Sequence, residues 1–531
     1  MKGMGDFRLR SAGETAETLL RRVPKPVRFT FLSALILGFL THSYAFLNKF
    51  TNHDDLNQMF YAGYGAAWGR WLLPPVLRLD GNLSMPWLIG VLSLFFLAMT
   101  ACLTVSLLRI RSPLGCGLTA ALLVSFPGVT ATFGYMFTAS GYFFSLFLAA
   151  LAAWAAWAAC RRGWWGSLLG AVLLTLSMSI YQAYLPAAAV LMVGALFLET
   201  LDGELSLRQL LGKGLRLALT LAAGVLAYLL TVRLTMPSGG LTDYEGIADM
   251  GKISLSRVPR LVVAAYRKYW FFFWENDWGC HLRFLRWGFL LAALGSLCLG
   301  AALLRRRRPG KGRIVLTLAL AVLYPLAGTF IYVMVPKGYV HIHMLYPMVD
   351  ILLLPLALLE YAQGEGKQLG NGLLPRLMSW VLLLTLGLAA YSYWLTDNNA
   401  YLKADFAMRQ CTAWSNRLAA RIEDCPDYEP GMKVVLLGSH EREAALSPTP
   451  ELEVSRLVGI YDLGDLRTYF TYQHFLRYFL AVTDPVYTGE SETAEQYAEK
   501  PEVQAMPLYP RQGSVKVVDG AVVVKLNSDA P

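Results

Sequence analysis

The sequence predicts a polytopic α-helical membrane protein with a small α/β domain in its C-terminal part. Three observations carry this reading. Of 531 residues, 55% are hydrophobic and only 16% charged, with a mean hydropathy of +0.43; soluble chains carry about 25% charged residues. The apolar residues gather into blocks long enough to cross a bilayer. From residue 396 onward the composition becomes ordinary and two strand-like runs occur, "KVVLLG" and "SVKVVDGAVVVKL". Asp-Gly between two apolar runs is a hairpin signal.

The elements follow in chain order. Residues 1–28 are polar and basic, with no apolar core followed by a small-residue cleavage site, so a cytoplasmic segment is expected there and no removable leader. Eleven spans are expected near 29–47, 86–108, 114–133, 141–160, 166–182, 184–201, 217–235, 286–304, 314–335, 347–363 and 378–395. Each is apolar all round, as a helix in lipid or in a bundle requires. Arg21, Arg22, Lys25 and Arg28 fall on one side with Arg109, Arg111, Arg161, Arg162, Arg208, Lys213, Arg216, the run Arg305–Arg308, Lys311, Arg313, Lys367 and Arg376. The positive-inside rule puts that side, and the N-terminus, in the cytoplasm, and an odd number of spans then puts the C-terminus outside. The net charge of +10 is explained by these loops and needs no nucleic acid. The membrane domain is expected over 29–395, with outer loops at 48–85 and 236–285 and an extracytoplasmic soluble domain at 396–531. Cys411 and Cys425 lie in that tail, where they could form a disulfide; no CxxC or paired-ligand spacing calls for zinc.

Chemistry-bearing residues cluster in the expected outer pieces. "NHDDL" places His53, Asp54 and Asp55 just beyond the first span. An anionic side chain there could take a proton from a sugar hydroxyl beside the membrane surface; alternatively the acids belong to a polar loop in which Asn52 or Asp54 caps the next helix. From Phe60 to Leu73, Phe60, Tyr64, Ala67, Trp68 and Trp71 recur at helical spacing, which predicts an interfacial amphipathic helix ended by Pro74-Pro75, with Arg70 nearby. In the second loop a helix is expected from about Arg257, with Ser256 as cap. Arg257, Arg260, Arg267 and Lys268 would share one face beside the aromatic run Tyr269–Trp274. Such a stripe suits a lipid phosphate with its isoprenoid along the rings, or rests on anionic headgroups. "VPKGYVHIHMLYP" brings Lys337, His341 and His343 to the outer end of the ninth span. Histidines at i and i+2 share a face of an extended strand, suited to a phosphate or an acceptor more than to a metal held with His53 and the acid pair, or they mark a polar turn. Span interiors carry almost no charge, Glu199, Asp350 and Glu360 falling near span ends, which disfavours an ion-coupled transporter.

Three stretches taken together carry a family resemblance: "NHDDL", "SFPGVTATFGYMFTASGYFFS" at 125–145 and "LSMSIYQAYLPAAAV" at 176–190. They resemble the bacterial glucosyl transferase GtrII family, placed with the GT-C superfamily of membrane glycosyltransferases, over about residues 30–395. The resemblance implies a GT-C-like fold in the bacterial cytoplasmic membrane. It also implies transfer of glucose or another hexose from a polyprenyl-phosphate donor to a cell-surface glycan on the outer face. GT-C enzymes carry an acid in the first outer loop, matched by Asp54 and Asp55, with Asp54 favoured as general base. Tyr181 and Gln182 of "YQAYL", with His53, Arg70, His341 and His343, are the substrate-binding candidates; Arg260, Arg267, Lys268 and Lys337 are the donor-phosphate candidates by position. The chemistry requires no cofactor; a divalent metal could assist, as in some GT-C enzymes, but no residue here demands one. A lipid-linked glycan flippase and a surface-polysaccharide polymerase are the competing classes.

Overall fold

The computed structural model describes residues 21–60, 65–235, 255–336, 338–364, 373–438, 457–460, 471–489 and 491–526, with a few isolated positions besides. The helices are α1 Lys25–Leu47, α2 His53–Asn57, α3 Leu73–Leu77, α4 Pro86–Leu107, α5 Pro113–Ser125, α6 Pro127–Gly134, α7 Met136–Arg162, α8 Trp165–Ile180, α9 Leu185–Asp202, α10 Leu207–Thr235, α11 Val258–Trp270, α12 Leu285–Arg307, α13 Lys311–Gly328, α14 Ile331–Met334, α15 Pro347–Gly364 and α16 Leu373–Glu423. Beyond them lie β1 Lys433–Leu437, α17 Tyr472–Leu480, β2 Val486–Tyr487, α18 Glu492–Ala498, α19 Pro501–Gln504, β3 Val515–Val518 and β4 Ala521–Lys525.

Among the described residues, ten helices are long and apolar enough to cross a membrane, and the chain is a multi-pass membrane protein. The eleventh apolar helix, α8, has 16 residues, fewer than the roughly 20 that span a bilayer. Two expected spans are interrupted. The one at 114–133 breaks between α5 and α6, because Pro127 has no N–H to continue α5 and instead opens α6, with Phe126 extended. The one at 314–335 becomes α13 and the single turn α14.

One end of the bundle is held by ion pairs. Arg109 bridges Glu199 and Asp202, Lys213 also pairs with Glu199, and Arg307 donates to the Asp202 carbonyl. These are the loops that the sequence groups as basic. Deeper in the bundle, His42 accepts from or donates to Tyr401 Oη at 2.6 Å and meets the Val124 carbonyl at 2.8 Å. Thr130 donates to Asp397 at 2.6 Å. These bonds join α1, α5, α6 and α16 where backbone and side-chain polar groups have no water to turn to.

Helix α16 does not stop at residue 395: it runs unbroken through position 396 to Glu423, 51 residues in all. Its last turns leave the apolar bundle and pack Trp414, Leu418 and Ile422 on one face of a four-stranded sheet of order β2-β1-β4-β3. Strand β1 is parallel to β2 and β4, and β3 pairs antiparallel with β4. Alternation in β1 sends Val434 and Leu436 to that face and Val435 and Leu437 to the other, against Ala494, Val503 and Met506. Asp519 and Gly520 close the β3–β4 hairpin with φ of 45° and 74°, the left-handed pair such tight turns use. Cys411 and Cys425 are both unbridged. Fourteen residues along or just past one helix separate them by about 20 Å, far beyond disulfide reach.

Candidate active site

At the end of the bundle opposite the ion pairs, the acid pair sits on the short helix α2. Asn52 caps it: the Asn52 side chain accepts from Asp55 N at 2.8 Å and donates to the Gly134 carbonyl at 2.8 Å, fixing α2 against the α6–α7 junction. The two acids then diverge. Asp55 is 0% exposed. Its Oδ2 accepts from Lys49 Nζ at 2.6 Å and Thr51 Oγ1 at 3.1 Å, and its Oδ1 accepts from Ser84 Oγ and from Phe137 N at 3.1 Å, at the start of α7. Ser84 also accepts from Lys49 at 2.6 Å. Asp54 keeps 29% of its side chain exposed, with His53 Nε2 at 3.6 Å. Adjacent residues on a helix face different ways, and here Asp55 is wholly enclosed while Asp54 keeps part of its side chain exposed.

Helix α7 links α2 to a second group of side chains. Five residues after Phe137, about 7 Å along the axis, Tyr142 Oη accepts from Arg70 Nη1 at 2.9 Å. Arg70 is 4% exposed. Its guanidinium lies 4.9 Å from the Tyr181 ring centroid, 5.7 Å from Trp68 and 5.9 Å from Tyr142, within cation–π range. Gln182 Oε1 accepts weakly from Arg70 Nε at 3.4 Å, and Gln182 Nε2 donates to the Trp68 carbonyl at 2.9 Å and to Tyr228 Oη at 2.8 Å. Tyr142 and Tyr181 stack at 4.1 Å. The His343 ring lies 5.9 Å from Tyr181, 6.4 Å from Tyr142 and 6.0 Å from Tyr135, and stacks with His341 at 5.7 Å. Buried His343 Nδ1 has no hydrogen-bond partner among the described residues.

Three of these residues, Arg70, Tyr181 and Gln182, reach a cleft whose empty space, solvent at its mouth included, is about 440 Å³. Arg70, Tyr181 and Gln182 make its polar side, and Ile331, Met334, Val335, Val340 and Met344 its apolar side. "YQAYL" is the break that makes this possible: α8 stops at Ile180, Tyr181 is extended, Gln182–Tyr184 forms a 3₁₀ turn, and Pro186 starts α9 afresh. The two histidines lie together, but not on the extended strand that the i, i+2 spacing suggests: His341 is extended and His343 lies in the following 3₁₀ turn Ile342–Leu345.

Arg70 does not ride on an interfacial helix. Residues 61–64 of the expected helix at 60–73 lie outside the described residues, 66–68 form a 3₁₀ turn, and Pro74-Pro75 open α3 instead of closing a helix. Proline is tolerated in a first turn, where its missing N–H has no acceptor to satisfy. On α11, Arg260, Arg267 and Lys268 are all exposed. Lys268 Nζ is 5.8 Å from the Tyr332 ring on α14, whose Ile331 and Met334 line the cleft, whereas Arg267 lies over Phe271. Arg260 is two turns from Lys268, about 12 Å along the helix. Lys337 lies outside the described residues.

The sequence did not single out Tyr142, Tyr228, Lys49 or Asp80. Asp80 is 3% exposed, accepts from Ser140 Oγ, and leaves Oδ1 without a partner among the described residues. Burial pushes its carboxyl above the ordinary range, opposed by the Ser140 bond. It lines neither this cleft nor the cavity beside Thr51.

The sequence profile described as glucosyl transferase GtrII matches residues 43–354, more than half of the chain. The chain belongs to the GtrII family. No curated protein and no solved structure matches it. The GtrII match begins within α1 and ends within α15, so it takes in the acid pair, Arg70, the "YQAYL" break and both histidines, and leaves the sheet domain outside. GtrII membership implies a glycosyltransferase.

Proposed function

We propose that this GtrII protein transfers a hexose, glucose in the first instance, from a polyprenyl-phosphate carrier to a cell-surface glycan on the outer face of the bacterial cytoplasmic membrane. The carrying observation is the cleft: a guanidinium and an amide at one side, five aliphatic or thioether side chains at the other, and α7 joining it to α2, where buried Asp55 is bonded to the start of α7 and its neighbour Asp54 stays partly exposed. A sugar phosphate on an isoprenoid has that polarity. The positive-inside distribution of basic loops supports placing this end outside, where nucleotide sugars are not available and a lipid-borne donor is needed.

In this reading Asp54 is the general base, since Asp55 has both oxygens committed to Lys49, Thr51, Ser84 and the α7 backbone. Asp54 takes the proton of the acceptor hydroxyl while that oxygen attacks the anomeric carbon. The bond from that carbon to the phosphate oxygen breaks, and the electron pair leaves with the polyprenyl phosphate. Arg70, with Lys268 at the rim, offsets the charge that grows there. One displacement inverts the anomeric centre.

The test is transfer by purified protein in vesicles, from labelled polyprenyl-phosphate glucose to a glycan acceptor. Wild-type transfer and its loss in Asp54→Asn, with the variant inserting normally, are expected. Movement of the labelled lipid across the bilayer with its glycosidic bond intact would instead identify a flippase, and a lengthening polymer would identify a polymerase.

A further inference from the structure

One piece of the C-terminal part does not stay with the sheet. Residues 457–460, "LVGI", lie against the α6–α7 junction, with Leu457 and Ile460 buried in the membrane-domain core cluster. The contact is backbone on backbone. A Cβ on Gly134 would lie 2.7 Å from Gly459 C and 2.8 Å from its Cα and carbonyl oxygen. A Cβ on Gly459 would meet Ala131 O and Tyr135 Cε2 at 3.0 Å, and Gly459 has φ of +87°, where side chains are strained. Only glycine on both sides allows this approach.

The groups touched belong to the site. Asn52, the cap of the acid-bearing α2, donates to the Gly134 carbonyl and also reaches the Gly459 carbonyl at 3.4 Å. Tyr135 is one of the rings against His343. Gly459 and Ile460 also wall a second cavity of about 410 Å³, shared with Thr51, which donates to Asp55.

We infer that the 457–460 segment is a strap by which the C-terminal part completes the active site, with Gly459 and Gly134 as positioning residues that set where α2 holds Asp54. This inference rests on the glycosyltransferase reading above. Its physical basis is that a displacement of about 1 Å at a catalytic group can cost about a hundredfold in rate without touching binding. The tail is then part of the catalytic unit, and not a detachable acceptor-recognition module.

The test uses the full chain in detergent or vesicles with Gly459→Val, Gly459→Ala, Gly134→Ala and the double alanine variant. Expected is a fall in kcat of at least tenfold in Gly459→Val and in Gly134→Ala, with donor KM within twofold and the melting midpoint unchanged. The double alanine variant should lose no more than about twofold beyond the worse single, because both changes open one contact. Gly134→Ala approaches the strap from the membrane side and keeps the test alive should Gly459→Val not fold. A kcat within twofold of wild type, a rise in KM at constant kcat, or a melting midpoint that falls in step with kcat overturns the strap. Wild type active and Asp54→Asn inactive beside fully active glycine variants would sink the strap alone; a wild type that transfers nothing would sink the function itself.

Discussion

Lys49 Nζ stands 2.6 Å from Asp55 Oδ2, with Lys49 23% exposed and Asp55 not exposed at all. This pair, and not the acid pair as a unit, fixes the end of α1 to α2. Removing one member leaves the other charge buried without compensation, which typically costs about 3–5 kcal/mol. Asp55→Asn should therefore lower the melting midpoint in detergent by several degrees, and adding Lys49→Met should recover part of it. Asp54→Asn should leave the midpoint within about a degree and reduce transfer by about 10²–10⁴-fold, the usual range for a general base. Thermal unfolding and single-turnover transfer on the same preparations separate the two. Equal loss of stability in both variants would contradict the division of labour.

Arg70 is held by a cation–π contact with Tyr181 and by a hydrogen bond to Tyr142. A lysine keeps the charge but supplies neither the plane nor the fork of donors. Arg70→Lys is expected to raise the donor KM by about tenfold or more, and Gln182→Leu to do less, since Gln182 acts on the guanidinium through a 3.4 Å contact and chiefly ties Trp68 to Tyr228. Steady-state kinetics against donor concentration decides this.

Asp80 makes a prediction about pH. Its carboxyl is raised by burial, so the folded state favours the protonated form. The sign follows: the fold is least penalised below the unfolded pKa of about 3.9, and the penalty grows as pH rises from there towards the folded value. Asp80→Asn keeps an oxygen for Ser140 and removes the charge. It should flatten this loss of melting midpoint above about pH 4 and leave transfer at wild-type level, because Asp80 lines neither the cleft nor the cavity beside Thr51. Midpoints measured from pH 4 to 8 check it; a variant that loses transfer would make Asp80 part of the chemistry.

How much of this was readable beforehand differs by element for physical reasons. The spans were legible because lipid selects continuous apolar runs, and the "YQAYL" break because Pro186 can only restart a helix. The sheet hairpin was legible because Asp519-Gly520 suits a left-handed turn. The length of α16 was not: the residues from 396 to 423 hold a helical pattern with no glycine or proline to stop it, and the fall in hydropathy alone suggested a boundary. The cleft was illegible as a unit. Arg70, Tyr142, the neighbours Tyr181 and Gln182, Tyr228 and His343 come from five separate places in the chain, and a tyrosine in an apolar span carries no mark of the cation it will meet. Nor could adjacency tell Asp54 from Asp55, since only the folding of Lys49, Ser84 and Phe137 around one of them makes them different.

The basic stripe on α11 gives a graded prediction. Lys268 stands beside Tyr332 at the cleft rim, while Arg260 is two turns away and exposed. If the stripe only rests on anionic headgroups, Arg260→Gln and Lys268→Gln should weaken transfer equally, and both effects should fade as salt screens exposed charges. If Lys268 meets the donor phosphate, Lys268→Gln should raise donor KM several-fold while Arg260→Gln stays within twofold. The Lys268 effect should then persist in vesicles of neutral lipid, where a headgroup role has nothing to act on. Comparing the two variants in neutral and anionic vesicles at matched ionic strength distinguishes the cases, and a Lys268 effect confined to anionic vesicles would move that residue out of the donor site.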